Sequence, residues 1–316
     1  MADLFIFKAN WQKIDEYKKA LTAIYHACFS VPPYQESFTE PMVLKIFHDY
    51  VDNGIVLLAV DKKDNALTGF GATIPVKALA KMKPILFDIF QRNLPNSDDY
   101  WYHADIGVDP CKHGCGFGKE ITRQVLINTP SNFIIMRTQE MNIASIKLHE
   151  GLGFKLVLGI TEEKKNVGYP NGVDRRIFLE KIRNRKEINI IIDEYRKVFA
   201  DKFGHDLLCR CYNCVFPILY SELEKNGDSI TTEQIINIAK TINSCYESSC
   251  DIRDPDTQRV DGCLLRCGNY CSHYDDDRYE SAPLSGIVLF PEGAKILKEL
   301  LEIPAIKAFF AEQKGT

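Results

Sequence analysis

Residues 101–118, WYHADIGVDPCKHGCGFG, decide the fold of the first half of this chain. The stretch opens as a strand, because Trp101, Tyr102, Ile106 and Val108 are aromatic or β-branched and nothing before Pro110 breaks the run. Pro110 stops it, and Gly114, Gly116 and Gly118 follow with single residues between them. From Lys119 the pattern is helical to about Asn128, with Ile121, Val125 and Leu126 on one face. Strand, glycine-rich turn and helix together make a phosphate cradle. Missing Cβ atoms let a ligand reach the backbone, and the first free N–H groups of the helix point at an anion. The turn is not a Walker loop, since no Gly-Lys-Ser/Thr closes it. Nor is it a dinucleotide fingerprint, since no acidic residue closes a following strand.

The next forty residues sharpen this reading. Phe133 to Thr138 (FIIMRT) is a second strand, placed as a parallel βαβ crossover requires. Asn142 then precedes a short helix, Ile143 to Glu150, and Gly151-Leu152-Gly153-Phe154 leads into a strand from Lys155 to Leu158. The run resembles the GNAT superfamily of acyl-CoA-dependent N-acyltransferases. That family's first signature, Arg/Gln-x-x-Gly-x-Gly/Ala after a strand ending in Val-x-Pro, stands here as Val108-Asp109-Pro110 and then His113 to Gly118. Its second, Asn-x-x-Ala/Ser-x-x-Leu-Tyr-x-x-Leu-Gly-Phe, stands as Asn142 to Phe154 with Ser145, Leu148 and His149. The resemblance covers roughly the first 180 residues, a normal domain size. It implies an α/β GNAT fold, a mixed sheet with a central βαβ crossover, over 1–182. A smaller, mainly α-helical, cysteine-rich domain is expected over 183–316.

Composition fits an ordinary two-domain protein: 316 residues, 45% apolar, 26% charged, net charge −4. The mild acidity argues against nucleic acid as a partner. The start of the chain has no continuous apolar core of a signal peptide, and no apolar run reaches the roughly 18 residues of a membrane span. A cytoplasmic location without membrane partners is the resulting expectation.

Upstream of the cradle, Lys8 to Phe29 reads as an edge segment and a helix, and Glu40 to Val51 as a second helix stopped by Asn53-Gly54. Val31-Pro32-Pro33-Tyr34 separates the two, as a rigid turn or, as the resemblance implies, as part of a wall of the acceptor site. Ile55 to Val60 and Leu67 to Val76 form an antiparallel hairpin, and Lys77 to Pro95 is a helical insertion. Thr161 to Asn171 reads as a charged loop, and Arg175 to Glu180 as the last strand of the domain.

Amide formation from a thioester needs an acceptor that loses a proton, a polarised carbonyl and a neutralised leaving thiolate. The resemblance implies that acetyl-CoA is the co-substrate. Val108 would hold the pantetheine through its backbone, and His113, Gly114, Gly116, Phe117, Gly118 and Lys119 the pyrophosphate. Asn142 and Ser145 would line the pantetheine arm, with Asn142 also reading as a plain helix cap. Asp105, on the strand leading to Val108, is the candidate general base, or else a buried structural carboxylate. Strict alternation places His103 on the same face as Asp105. The family's proton-donating tyrosine is replaced by His149. Either the imidazole serves, or Tyr102 or Tyr169 does, or no acid is needed.

Past Ile182 the composition changes. Ile188 to Phe203 reads as an amphipathic helix, as do Val215 to Lys225, Thr232 to Ile242 and the tail from Pro291 to Glu312. Eight of the eleven cysteines fall here: Cys209, Cys211, Cys214, Cys245, Cys250, Cys263, Cys267 and Cys271. At that density a zinc site is the first expectation, an iron–sulfur cluster the second, and disulfides or free thiols stay open. Two functions follow. One is an N-acetyltransferase acting by direct attack of a primary amine, its acceptor a small-molecule amine, an amino acid or a peptide. The other is a catalytically weak acyl-CoA sensor or scaffold carrying a cysteine-rich interaction module.

Overall fold

The computed structural model describes residues 4–165, 173–208, 215–216, 219–222, 225, 230–250 and 284–312, with the side-chain surroundings of 164, 245–250 and 312 left aside. The chain divides into two units, Met1–Arg183 and Asn184–Thr316.

The first unit opens on β1 (Leu4–Lys8), ahead of the edge segment expected from Lys8. It continues through α1 (Trp11–Glu16), α2 (Lys18–Phe29), α3 (Glu40–Asn53), β2 (Ile55–Asp61) and β3 (Ala66–Pro75). The insertion forms α4 (Leu79–Met82) and α5 (Pro84–Asn93) ahead of β4 (Tyr100–Val108). Then come α6 (Phe117–Asn128), β5 (Phe133–Gln139), α7 (Ile143–Glu150), β6 (Lys155–Lys165) and β7 (Val173–Ile182). These strands build one seven-stranded sheet in the order β1-β2-β3-β4-β5-β7-β6. Only β4 and β5 pair in parallel, through the α6 crossover.

All seven residues of β2 are buried, which requires cover on both faces of the sheet. Val56, Leu58 and Val60 enter the core under α2 and α3, with Phe47 and Phe70. Ile55 and Leu57 meet Val125 of α6 on the other face. Each such side chain contributes about 1.5–3 kcal/mol by leaving water.

Between β3 and β4 the register shifts: Ala72 pairs with Asp105 but Thr73 pairs with His103, so Ala104 is an extra residue on β4. The bulge corrects the expectation from alternation. Tyr102, Ala104 and Asp105 all turn toward α2 and α3. His103 turns to the opposite face, beside His149 of α7.

β6 runs on to Lys165, absorbing the first part of the expected charged loop into a strand paired with β7. In the second unit, α8 (Arg185–Phe203) starts on a capping box between Asn184 and Glu187 and stops at Gly204. Phe199, Phe203 and Phe290 pack together, and further helices cover Thr232–Cys250, Ala294–Glu302 and Pro304–Glu312. Among the described residues, no helix is long and apolar enough to cross a membrane.

Candidate active site

The pairing of the two parallel strands stops just before the bulge that re-aims Asp105. β4 and β5 are hydrogen-bonded only from Tyr100/Phe133 to His103/Met136. Beyond that level both strands continue, to Val108 and Gln139, without bonding to each other. The strands part, and the gap opens into a cavity of about 1070 Å³ lined by Asp105, Val108, Gly114, Gly116, Gly118, Asn142 and Ser145 among others.

At one end lies the cradle. Pro110–Lys112 form a single turn, with Asp109 accepting from the Cys111 N–H at 2.9 Å. Lys112 ties this turn to the β2–β3 connection, donating to Asp61 at 2.7 Å and to Asp64 at 3.4 Å. Its charge is therefore spent on the loop, a role the glycine pattern did not reveal. Gly114 and Gly116 sit at φ +78° and +81°, and a Cβ on either would meet nothing within 4 Å. The backbone thus turns left-handed beside open space, where α6 begins with N–H groups that have no partner within the helix. A pyrophosphate fits that arrangement. Phe117 and Lys119 line the same cavity. His113 folds back, with Nε2 3.0 Å from the Val108 carbonyl.

In the middle, Asn142 does two things at once. Its Oδ1 accepts from the Ser145 N–H at 3.0 Å, capping α7, while its Nδ2 donates to Tyr34 Oη at 3.1 Å. Tyr34 also lies 3.2 Å from Thr138 Oγ1 and lines the cavity. Burial raises the Tyr34 phenol above its ordinary value, keeping it protonated. Cys28 contacts the Val108 carbonyl at 3.5 Å, and burial pushes its thiol up to about 11. It is a neutral thiol at pH 7, unsuited to a covalent route.

Farther in, Asp105 Oδ2 accepts from Tyr50 at 2.7 Å and from Tyr25 at 3.2 Å. Burial and then the Asp105 charge raise both phenols, so they stay donors. Lys83 donates to the Tyr50 oxygen at 3.3 Å. The same cavity is lined by Arg137 of β5, bonded to Glu162, and Arg176 of β7, bonded to Glu36 at 2.6 Å and Asp174 at 2.9 Å.

His149 lies elsewhere. It is fully buried and not part of the cavity lining, its Nδ1 2.8 Å from the Ser145 carbonyl. Burial lowers its pKa to about 4, so at pH 7 it holds no imidazolium proton to give. This corrects its expected place as acid. Tyr102 lines the cavity, and Tyr169 lies outside the described residues. Of the cysteine candidates, Cys209, Cys211, Cys214, Cys263, Cys267 and Cys271 lie outside the described residues, as do the side chains of Cys245 and Cys250. No cluster suited to a metal ion occurs among the described residues.

No protein-family model matches the chain, and no curated protein matches it. Among solved structures it is similar to an N-acetyltransferase from Staphylococcus aureus Mu50, at 20% identity over 57% of this chain and 98% of that one, with a TM-score of 0.41. A GNAT superfamily phosphinothricin acetyltransferase from Sinorhizobium meliloti in complex with AcCoA is similar at 17% identity, over 57% and 88% of the two chains, with a TM-score of 0.42. A ribosomal-protein-alanine N-acetyltransferase from Brucella melitensis is similar at 21% identity, over 57% and 99%, with a TM-score of 0.41.

Proposed function

We propose that residues 1–183 form a GNAT-type acyltransferase that moves an acetyl group from acetyl-CoA to a primary amine by direct attack. The observation that carries this reading is the parting of β4 from β5 beyond His103 and Met136, between a glycine cradle and a carboxylate in one cavity. An extended pantetheine can pair with the freed edge of β4 as a missing strand would, its pyrophosphate on the α6 N-terminus.

In this reading Asp105 takes a proton from the acceptor ammonium, with Tyr50 and Tyr25 holding its carboxylate in place. The new C–N bond forms as the C–S bond breaks, and Tyr34 gives its proton to the leaving thiolate. The second proton, shed by the acylated nitrogen, restores the Tyr34 phenol, so the one net proton leaves on Asp105. The alternative, acyl-CoA binding without turnover, draws support from one observation only: the position of the family's tyrosine holds a buried neutral His149. For the second unit the zinc reading rests on the eight cysteines of its sequence. Metal content per purified chain, by elemental mass spectrometry, is its test, and an iron or null result removes zinc.

The experiment is conversion of acetyl-CoA to CoA with amines, amino acids and peptides, read by chromatography and mass. Acceptor-dependent CoA release with a product of acetylated mass is expected. Tight CoA binding with no acetylated product from any acceptor would turn the reading to the binding module.

A further inference from the structure

Two arginines that line the cavity have donors without a partner among the described residues. Arg137 and Arg176 line the cavity, and each side chain is only 10% exposed. In the β5–β7 register Arg137 opposes Phe178 and Arg176 opposes Gln139, which places the two arginines diagonally on one face. Arg137 uses Nη1 on Glu162, and Arg176 uses Nε and Nη2 on Asp174 and Glu36. Nε and Nη2 of Arg137 and Nη1 of Arg176 have no hydrogen-bond partner among the described residues. Burial opposes both charges, but Tyr102 and then Glu162 outweigh it at Arg137, as Asp174 and Glu36 do at Arg176, and both groups stay cationic. Unpaired guanidinium donors on two cavity-lining arginines call for a planar, paired oxygen acceptor.

The surrounding charge narrows that acceptor. Arg137, Arg176 and Lys83 face Asp105, Glu36, Glu162 and Asp174, one more carboxylate than cations. A free dianion gains little from such a cluster. A zwitterion gains at both ends, its ammonium toward Asp105 and its carboxylate toward the unused arginine donors. Resting on the acyltransferase reading above, we infer that the acceptor is a free amino acid whose carboxylate is bound by Arg137 and Arg176. Peptide N-termini and decarboxylated amines lack that group and are disfavoured.

The test compares the proteinogenic L-amino acids with their amides and their decarboxylated amines, under saturating acetyl-CoA. For the best acid, kcat/KM should exceed that of its amide and amine by about 10- to 100-fold, the worth of a charge-assisted hydrogen bond. In Arg137→Lys the KM for the acid should rise by a similar factor, while the KM of the decarboxylated amine moves little. Calorimetry on the CoA-loaded protein should show heat with the acid and none with the amide. The paired variant Arg137→Gln/Glu162→Gln, which leaves no unpaired buried charge, should lose that heat with its melting temperature retained. Equal turnover or equal binding of acid and amide overturns the inference and leaves the transferase reading intact. Binding of the acid alone, with no acetylated product from any acceptor, upholds carboxylate recognition and overturns the transferase reading. Neither binding nor product overturns both.

Discussion

Tyr50 Oη donates to Asp105 Oδ2 across 2.7 Å, from a phenol that is itself buried to within 1% of its surface. The bond joins the second long helix to the bulged central strand, so the same contact packs the core and fixes a carboxylate that lines the cavity. A carboxylate held this way has one rotamer, which is what a positioned base requires.

Asp105→Asn should lower kcat by about 10²- to 10⁴-fold, the range of a general base, and leave the Kd for acetyl-CoA within about twofold. Tyr50→Phe should cost less, about tenfold in kcat, because Tyr25 still holds the carboxylate at 3.2 Å. Steady-state kinetics with calorimetric binding of CoA separates the two effects. Unchanged turnover in Asp105→Asn would remove this residue from the chemistry.

The cradle separates affinity from turnover in the opposite sense. Gly114→Ala and Gly116→Ala each force an L-residue to φ near +80°, a conformation that costs about 1–2 kcal/mol. The added Cβ meets no protein atom within 4 Å, so the fold should lose no more than that. It does enter the open space proposed for the pyrophosphate. The KM for acetyl-CoA should therefore rise by about tenfold or more, with kcat at saturation little changed. Wild-type KM in both variants would dissociate this loop from the cofactor.

His103 and His149 give the core a dependence on pH. Their rings lie 5.3 Å apart, and neither ring nitrogen of His103, nor Nε2 of His149, has a hydrogen-bond partner among the described residues. Burial, and then the proximity of His149, lowers His103 to about 3, and burial lowers His149 to about 4. Unfolded, both titrate near 6.5. Between those limits the unfolded chain binds more protons, so stability is complete above pH 6.5 and is lost as pH falls toward 4. His149→Phe, which keeps an aromatic ring against Phe154, should lose less stability over that window. Denaturant unfolding at pH 7.5, 6 and 5 measures it, and parallel curves for the two proteins would refute the assignment.

How much of this was legible in the sequence varies with the range of the forces involved. The cradle and the α7 cap could be read because glycine freedom and Asn capping are local: Gly114, Gly116 and Asn142 carry their conformations in their own chemistry. The bulge at Ala104 could not. It comes from register against β3, a non-local pairing, and it moves Asp105 to the face opposite His103. Nor could the Arg137 and Arg176 pair be found, because the two residues meet only through the antiparallel β5–β7 register. β1 went unread as a strand because five residues at an edge carry little pattern. The burial of His149 depends on packing against Phe154 and His103, which the signature spacing does not encode.

Tyr34 was read only as a turn residue or a wall, yet the structure sets its hydroxyl 3.1 Å from the Asn142 amide and beside Thr138. That juxtaposition brings a phenol from the loop between α2 and α3 into the same cavity lining as Asn142, while His149, at the position of the signature's tyrosine, lies outside it. The proposed proton donor and the signature position are thus on different elements, and two substitutions tell them apart. Tyr34→Phe removes the transferable proton and keeps the ring against Phe29, so kcat should fall by about 10²-fold with acetyl-CoA affinity nearly retained. His149→Phe should leave kcat within a few-fold, since a neutral buried imidazole gives up no proton near pH 7. Pre-steady-state release of CoA in the two variants, at matched acceptor saturation, reads the chemical step directly. A large loss in His149→Phe with a small one in Tyr34→Phe would return the role to the histidine and require α7 to shift its buried ring into the cavity during turnover.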